Sequence, residues 1–274
     1  MKCSVIIPCY NQVGYLPVAV DSVLNQTYGN LEVIIVIDGS PDNSYEVACA
    51  FAEKSALVRV YKKENGGLSS ARNYGIERAT GEIILPLDAD DKIAPTYIEK
   101  AMRFFEEANE ELIVYCDAAF FGDKQGPWKL NPYSKNELCM RNVIFCSAFF
   151  RKSSWKKAGG YDINMKYGLE DWEFWISLIE NGCEVVKIEE ELFFYYKKPN
   201  SMIAKLTTQN SDYSHNYIWQ KHRAFISAHI PNPLLLIYEN KYLKAELNAL
   251  QQTRAFKLMK LIRGFRAMLK RPFR

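Results

Sequence analysis

Short apolar runs alternate with helical patterns through the first half of the chain, and this alternation restricts its fold more than any other feature. The run Val33–Ile37 is continuously apolar, which is typical of a strand covered on both faces. Strands that alternate with helices predict βαβ units and a mostly parallel central sheet flanked by helices. Ligands of such sheets bind beyond the carboxyl ends of the strands. The sequence therefore predicts an α/β fold with its site among the residues that follow the strands.

The pattern also predicts the individual elements. The expected strands are Ser4–Pro8, Glu32–Asp38, Leu57–Tyr61, Glu82–Leu87, Leu112–Cys116, Cys183–Ile188 and Leu192–Tyr196. The expected helices are Gly14–Asn25, Asn43–Lys54, Leu68–Arg78, Pro95–Ala108 and Glu170–Asn181. A hairpin is expected at Ala118–Asn131 and a polar loop at Lys197–Asn210. We expect one α/β domain over residues 1–210 and a helical C-terminal extension over 211–274.

Composition excludes several classes of protein. The 48% of hydrophobic residues suffices for a sizeable core, and a net charge of +3 is too small to indicate nucleic-acid binding. The seven cysteines are scattered without a Cys-x-x-Cys pair, which is typical of reduced thiols in a cytoplasmic protein. We expect no signal peptide, because the apolar run after Met1-Lys2 is too short, and no membrane span.

Three carboxylates follow the expected strand Glu82–Leu87, namely Asp88, Asp90 and Asp91. In an extended chain Asp88 and Asp90 point the same way, so both can bind one hard cation such as Mg²⁺ or Mn²⁺. The spacing alone is weak evidence, since 32 acidic residues produce roughly four such pairs by chance. The alternative is a solvated turn that caps the next helix. The position after a buried strand favours the metal site.

Five motifs occur together in the order and spacing of a known family. They are Val5-Ile6-Ile7-Pro8-Cys9-Tyr10-Asn11, Val36-Ile37-Asp38-Gly39-Ser40-Pro41-Asp42-Asn43-Ser44, Asn65-Gly66-Gly67-Leu68-Ser69-Ser70-Ala71-Arg72-Asn73, Gly81-Glu82 with Asp88-Ala89-Asp90-Asp91, and Gly159-Gly160-Tyr161-Asp162 with Glu170-Asp171-Trp172. Through them, residues 3–200 resemble glycosyltransferase family 2, the inverting family with the GT-A fold. The resemblance implies that fold, a nucleotide-sugar donor and a divalent metal.

The resemblance also implies which residues bind the nucleotide sugar. They are Pro8, Tyr10, Asn11, Asp38, Asn65, Gly66, Gly67, Arg72, Asp88 and Ala89. Tyr10 would lie against the base, with simple packing at a strand end as the alternative. Many relatives have two acids where this chain has Ile37 and Asp38, so Asp38 either contacts the nucleotide or only forms the turn.

Arg72 and Asp90 have the more specific expected roles. Glycines 66 and 67 open a helix whose N-terminus favours anions, which brings Arg72 within reach of a diphosphate. The alternative for Arg72 is a structural ion pair with an acidic loop. Asp90 is expected to bind the metal directly, and Asp88 to meet the ribose or to reach the metal through water.

A candidate base lies at the start of the helix Glu170–Asn181. Neighbouring helical residues point about 100° apart, so only one of Glu170 and Asp171 can face an acceptor. By resemblance Asp171 is the base, while Glu170 and Trp172 lie on the acceptor side. The alternative is that both acids only cap the helix and suit its dipole.

The C-terminal segment from Thr253 to Arg274 carries eight basic residues and no acid, with apolar residues at helical spacing. Such a helix either lies on an anionic membrane or packs against this chain or a second copy in a homo-oligomer. Nucleic acid is disfavoured because exposed aromatic residues do not interleave with the basic ones.

Three functions fit these features. The first is an inverting transferase that moves a sugar, most commonly from a UDP-sugar in this family, to a glycan or lipid-linked acceptor of a cell-surface polysaccharide. It would act in the cytoplasm, at the inner face of the membrane if the C-terminal helix binds there. The alternatives are a sugar nucleotidyltransferase and a non-catalytic, membrane-peripheral assembly protein of the same fold.

Overall fold

The structure is a computed structural model that describes residues 1–108, 111–198, 207–230, 232–253, 255–256 and 258–259. The chain divides into two compact units, residues 1–226 and residues 227–274. The first unit thus continues past position 210, where the sequence pattern places the domain boundary. None of the helices in the described ranges combines the length and apolar character of a membrane span.

The observed elements follow the expected alternation closely in the first hundred residues. The strands are β1 (Cys3–Cys9), β2 (Leu31–Asp38), β3 (Val58–Lys63), β4 (Ile83–Pro86), β5 (Lys92–Ile93), β6 (Leu112–Phe121), β7 (Gly126–Trp128), β8 (Phe149–Arg151) and β9 (Glu184–Tyr196). The helices are α1 (Leu16–Leu24), α2 (Ser44–Lys54), α3 (Leu68–Arg78), α4 (Tyr97–Glu107), α5 (Lys135–Met140), α6 (Lys152–Ala158), α7 (Glu170–Glu180), α8 (Thr208–Lys221), α9 (Arg223–His229) and α10 (Pro233–Gln252).

The described strands form one mixed sheet in the order β3-β2-β1-β4-β8-β6-β9-β5, with β7 paired to β6. Strands β1 to β4 pair in parallel, as expected for βαβ units. Strand β8, which the sequence pattern missed, is antiparallel to both β4 and β6 and joins the two halves of the sheet. The two strands expected at 183–188 and 192–196 are one strand, β9, whose pairing with β6 shifts register at a bulge.

The buried face of α3 holds the N-terminal half of the sheet together. Every residue of β1 and β2 is buried, because helices cover both faces. A Cβ at Gly75 would lie 2.6 Å from Cγ2 of Ile6, so only glycine lets α3 pack this closely on the sheet. The close packing fixes the N-terminal end of α3 beside the carboxyl ends of β1 and β2.

Helix α8 and the residue that follows it, His222, are held within the first unit by hydrogen bonds to α7 and to the loop before α7. The Ser214 hydroxyl donates to the carbonyl of Gly168, and the buried His222 ring bridges carboxylates of Glu173 and Glu180. Burial lowers the pKa of His222, but the hydrogen bonds to these two carboxylates raise it more, to above its ordinary value. These contacts explain why the first unit extends to residue 226.

In the second unit, α10 exposes many of its apolar side chains, among them Leu234, Ile237 and Leu243. The basic helix expected from Thr253 to Arg274 falls almost entirely outside the described residues.

Candidate active site

A cavity of about 780 Å³ opens at the carboxyl ends of β1, β2 and β4, where the fold predicts a ligand site. Among the expected site residues its lining includes Pro8, Tyr10, Asn11, Asp38, Asn65, Gly67, Asp88, Ala89, Asp90, Glu170 and Asp171. Residues more than 160 positions apart in the sequence therefore meet around one space. Tyr10 is 51% exposed and is available to stack on a planar group.

The three carboxylates after β4 lie on a turn, here called the acidic turn (Asp88–Asp91). The amide of Asp91 donates to the carbonyl of Asp88 at 3.0 Å, which closes the turn. The expectation that Asp88 and Asp90 share a direction because the chain is extended is therefore wrong, since β4 ends at Pro86. Both side chains nonetheless line the cavity, and the turn brings Asp91 beside Asp88 as well.

A buried arginine connects the acidic turn to α7. The Arg72 side chain is fully buried, with Nη2 2.7 Å from Oδ1 of Asp88 and Nη1 2.8 Å from Oε1 of Glu170. Its planar guanidinium suits two carboxylates at once, and its charge offsets the burial of Glu170. Of the two roles expected for Arg72, the geometry matches the structural ion pair with the acidic loop. Arg72 does not line the cavity in this state.

Asp38 fixes the glycine-containing turn at the start of α3. Its carboxylate accepts from the amides of Gly66 and Gly67 at 3.0 and 2.8 Å, and from Nζ of Lys63 at 2.6 Å. At Gly39, φ is +67° and a Cβ would lie 2.6 Å from the amide nitrogen of Asn65, so glycine is required there. Asp38 thus lines the cavity and shapes it through the backbone, and Gly66 is not among the lining residues.

Asp171 has the electrostatic environment of a base. It accepts from Nδ2 of Asn142 at 2.8 Å and from the amide of Trp172 at 2.8 Å. Burial and the nearby charge of Glu170 raise the pKa of Asp171 to about 7, against the opposing effect of Arg72 and these two hydrogen bonds. A carboxylate with a pKa near 7 can accept a proton at neutral pH and release it again.

A left-handed turn aims the start of α7 into the cavity. Gly168 and Leu169 have φ values of 97° and 66°, and a leucine in this conformation costs on the order of 1 kcal/mol. Glu170 turns inward to Arg72, while Asp171 lines the cavity beside Asn142. Both acids line the cavity, and the ion pair with Arg72 engages Glu170 but not Asp171.

The expected acceptor-side role of Trp172 does not fit its position. Its side chain is 4% exposed, and Nε1 donates to the carbonyl of Leu138 at 2.6 Å. Because helical residues 172, 175 and 176 point into the core, Trp172 packs behind Asp171 and does not line the cavity. It supports the position of α7 from within.

The residues around the acidic turn fit a divalent cation. Among the described residues that line the cavity, five are acidic (Asp38, Asp88, Asp90, Glu170, Asp171) and one is basic (Lys198). Asp91 is fully buried, and its Oδ2 has no hydrogen-bond partner. Burial and the charges of Asp90 and Asp88 raise the pKa of Asp91 well above its ordinary value. A cation at the acidic turn would relieve this repulsion, and carboxylate oxygens suit Mg²⁺ and Mn²⁺.

Sequence patterns missed several residues of the site. Donor atoms of Asp88, Asp91 and Cys146 lie within 4.8 Å of one another, and Cys146 Sγ donates to Asp88 at 3.5 Å. Lys198, two residues after the end of β9, forms an ion pair with Asp90. Asn142 and Cys146 lie in the segment before β8, where no local pattern indicated a site.

Comparison with known proteins agrees with this geometry. The model of the family described as Glycosyl transferase family 2 matches residues 4–159, and the chain therefore belongs to that family. An uncharacterised glycosyltransferase of Rickettsia typhi is 34% identical over 188 residues, covering 64% of this chain and 58% of its own. The minor teichoic acid biosynthesis protein GgaB of Bacillus subtilis is 34% identical over 210 residues, covering 71% of this chain and 23% of its own. The chain thus spans less than two thirds of the length of each of these relatives.

Two solved structures share the GT-A fold. S. aureus TarS in complex with UDP-GlcNAc aligns with a TM-score of 0.62 at 19% identity, over 76% of this chain and 62% of its own. The mannosyltransferase PcManGT of Pyrobaculum calidifontis, in complex with GDP-Man and Mn²⁺, aligns with a TM-score of 0.59 at 16% identity, over 96% of this chain and 84% of its own. The fold class expected from the sequence is confirmed.

The Arg72 bridge can be tested through stability. In Arg72→Lys the single ammonium cannot serve both carboxylates, so one is left buried without its partner. We expect a loss of about 2–4 kcal/mol in the free energy of unfolding, measured by urea denaturation. Arg103→Lys, on the exposed face of α4, is the matched control and should change stability by less than about 0.5 kcal/mol. Equal stability of the two variants would contradict the bridge.

Proposed function

We propose that the protein is an inverting glycosyltransferase that transfers a sugar from a UDP-sugar to a hydroxyl group of a glycan or lipid-linked acceptor. The observation that carries the proposal is the Arg72 bridge. One guanidinium joins the carboxylate of Asp88, on the metal side, to Glu170, the neighbour of a carboxylate with a pKa of about 7. The proposed donor grip and the residue next to the proposed base are thereby held on one guanidinium beside one cavity.

The donor would occupy the wall formed by the ends of β1, β2 and β4. Tyr10 offers an exposed ring for the base, and the turn that Asp38 fixes presents backbone at the N-terminus of α3. Asp90 and Asp88 would hold a divalent cation, which neutralises the diphosphate when bound. The complexes of TarS with UDP and UDP-GlcNAc favour UDP as the nucleotide part of the donor.

Asp171 would act as the general base. It takes the proton of the acceptor hydroxyl as that oxygen bonds to the anomeric carbon, while the bond from this carbon to the diphosphate oxygen breaks. The nucleoside diphosphate leaves with the electron pair, and a single displacement inverts the anomeric centre. Asn142 holds one oxygen of Asp171, and the amide of Trp172 holds the other. The carboxylate is therefore oriented before the substrates bind.

The acceptor class is inferred from the relatives. The name of GgaB places that protein in teichoic acid synthesis, which favours a role for this chain in building a cell-surface polymer. The acceptor would enter past Asn142 and Ile144, which line the cavity on the same side as Asp171.

The metal and donor roles are tested by Asp90→Ala. We expect the wild type to bind UDP much more tightly with Mn²⁺ than with EDTA, because Lys198 alone does not offset the five acidic groups of the described lining and the cation adds two charges. In Asp90→Ala the Mn²⁺-dependent part of UDP binding should be lost, as measured by isothermal titration calorimetry. Asp21→Ala, an exposed acid on α1, is the control and should bind as the wild type does. UDP affinity that is the same with Mn²⁺ and with EDTA would contradict the assignment.

The base is tested by Asp171→Asn. Release of UDP from a panel of UDP-glucose, UDP-galactose and UDP-GlcNAc, with water as acceptor, should fall about 10²- to 10⁴-fold, while Mn²⁺-dependent UDP affinity stays unchanged. In the wild type the rate should rise with pH through about 7, since Asp171 must lose its proton to act. Asp123→Asn, in the exposed turn of the β6–β7 hairpin, should leave the rate unchanged. Near-normal turnover in Asp171→Asn would remove the residue from this role.

A further inference from the structure

The ammonium group of Lys198 lies against the acidic turn and contacts three side chains there. Its Nζ lies 2.8 Å from Oδ2 of Asp90 and 2.7 Å from Oε1 of Gln12. It also lies 4.1 Å from the centre of the Tyr15 ring, a distance at which a cation is attracted to the ring face. The side chains of Lys198 and Asp90 are only 17% and 20% exposed. Water therefore screens the pair less than it would a surface ion pair.

The contact puts a positive charge on the carboxylate that the proposed function assigns to the metal. An ammonium ion and a divalent cation compete for the same carboxylate oxygens, and their mutual repulsion opposes binding side by side. Metal binding at Asp90 must therefore displace Lys198 or share Asp90 with it at a cost.

The backbone near Lys198 is fixed to the same turn. The amide of Tyr196 donates to Oδ1 of Asp91 at 2.8 Å, and the ring of Tyr196 packs 5.1 Å from that of Tyr15. The chain two residues before Lys198 is thus anchored at the cavity. A displaced ammonium can move by side-chain rotation alone, and it stays among the residues that line the site.

We propose that Lys198 is the resident counter-ion of Asp90, that a divalent cation displaces it, and that the displaced ammonium then binds the diphosphate of the donor. The proposal rests on the proposed function and adds to it a coupling between metal and donor. Lys198 weakens metal binding in the empty protein and strengthens diphosphate binding once the metal is present. The metal and the nucleotide consequently bind with positive cooperativity.

The coupling predicts effects of opposite sign from one substitution, Lys198→Met. Without nucleotide, the variant should bind Mn²⁺ about three- to tenfold more tightly than the wild type, because the competing ammonium is gone. At saturating Mn²⁺, it should bind UDP about tenfold more weakly, because a charge-assisted hydrogen bond to the diphosphate is lost. Mn²⁺ binding is measured by electron paramagnetic resonance of the free ion, and UDP binding by calorimetry.

Lys197→Met is the matched control. It makes the same change of charge at an adjacent, exposed position, so it should shift neither affinity more than about twofold. Lys198→Arg keeps the charge and should restore most of the UDP affinity. Thermal denaturation of each variant checks that the fold is retained.

The outcomes separate this proposal from the proposed function. If Asp90→Ala abolishes Mn²⁺ binding but Lys198→Met binds Mn²⁺ and UDP as Lys197→Met does, the role of Lys198 is refuted and the metal site stands. Weaker Mn²⁺ binding in Lys198→Met would also refute it, since the ammonium would then support the metal site. If Asp90→Ala leaves Mn²⁺ binding unchanged, the metal assignment itself fails, and the counter-ion role fails with it.

Discussion

The site depends on one buried cation. Arg72 is fully buried and places its two Nη atoms 2.7 and 2.8 Å from carboxylates of Asp88 and Glu170. The guanidinium and Glu170 are both buried and need charged partners, while Asp88 is partly exposed at the cavity. The bridge joins the turn after β4 to the first residue of α7, so the acidic turn and the start of α7 are held together. Asp171, the next residue, is thereby aimed at the cavity.

Burial and charge imbalance around this bridge together account for the raised pKa values of the site. Acidic groups outnumber basic ones along the described lining, and burial together with the charges of neighbouring carboxylates raises the pKa values of Asp90, Asp91 and Asp171, in Asp90 despite its ion pair with Lys198. In each case burial contributes most. Burial and the charge of Glu170 raise the pKa of Asp171, and burial with neighbouring carboxylates does the same at the acidic turn. The proposed donor site and the proposed base therefore share one electrostatic arrangement.

Sequence patterns predicted the parts of the fold that local rules determine. The bounds of α3 agree at both ends, because Gly67 precedes it and a continuous helical pattern follows. Most of the acids of the site could be located because they end buried strands or begin a helix. The resemblance to glycosyltransferase family 2, which the family match confirms, supplied the roles.

The remaining features depend on contacts between distant segments. Strand β8 is three residues long and exists only because β4 and β6 flank it, so no periodicity reveals it. Lys198 meets Gln12 across 186 positions, and Arg72 meets Glu170 across 98. Such pairs are set by topology and leave no local signal.

A crystal structure with UDP and Mn²⁺, with the metal located by its anomalous scattering, tests the central claim most directly. The account predicts an anomalous peak at the acidic turn within coordination distance of Asp90, with the diphosphate on the same side. Arg72 should still lie between Asp88 and Glu170, and Asp171 should face the end of the diphosphate to which the sugar is attached. A metal bound elsewhere, or a nucleotide seated away from Asp171, would contradict the account.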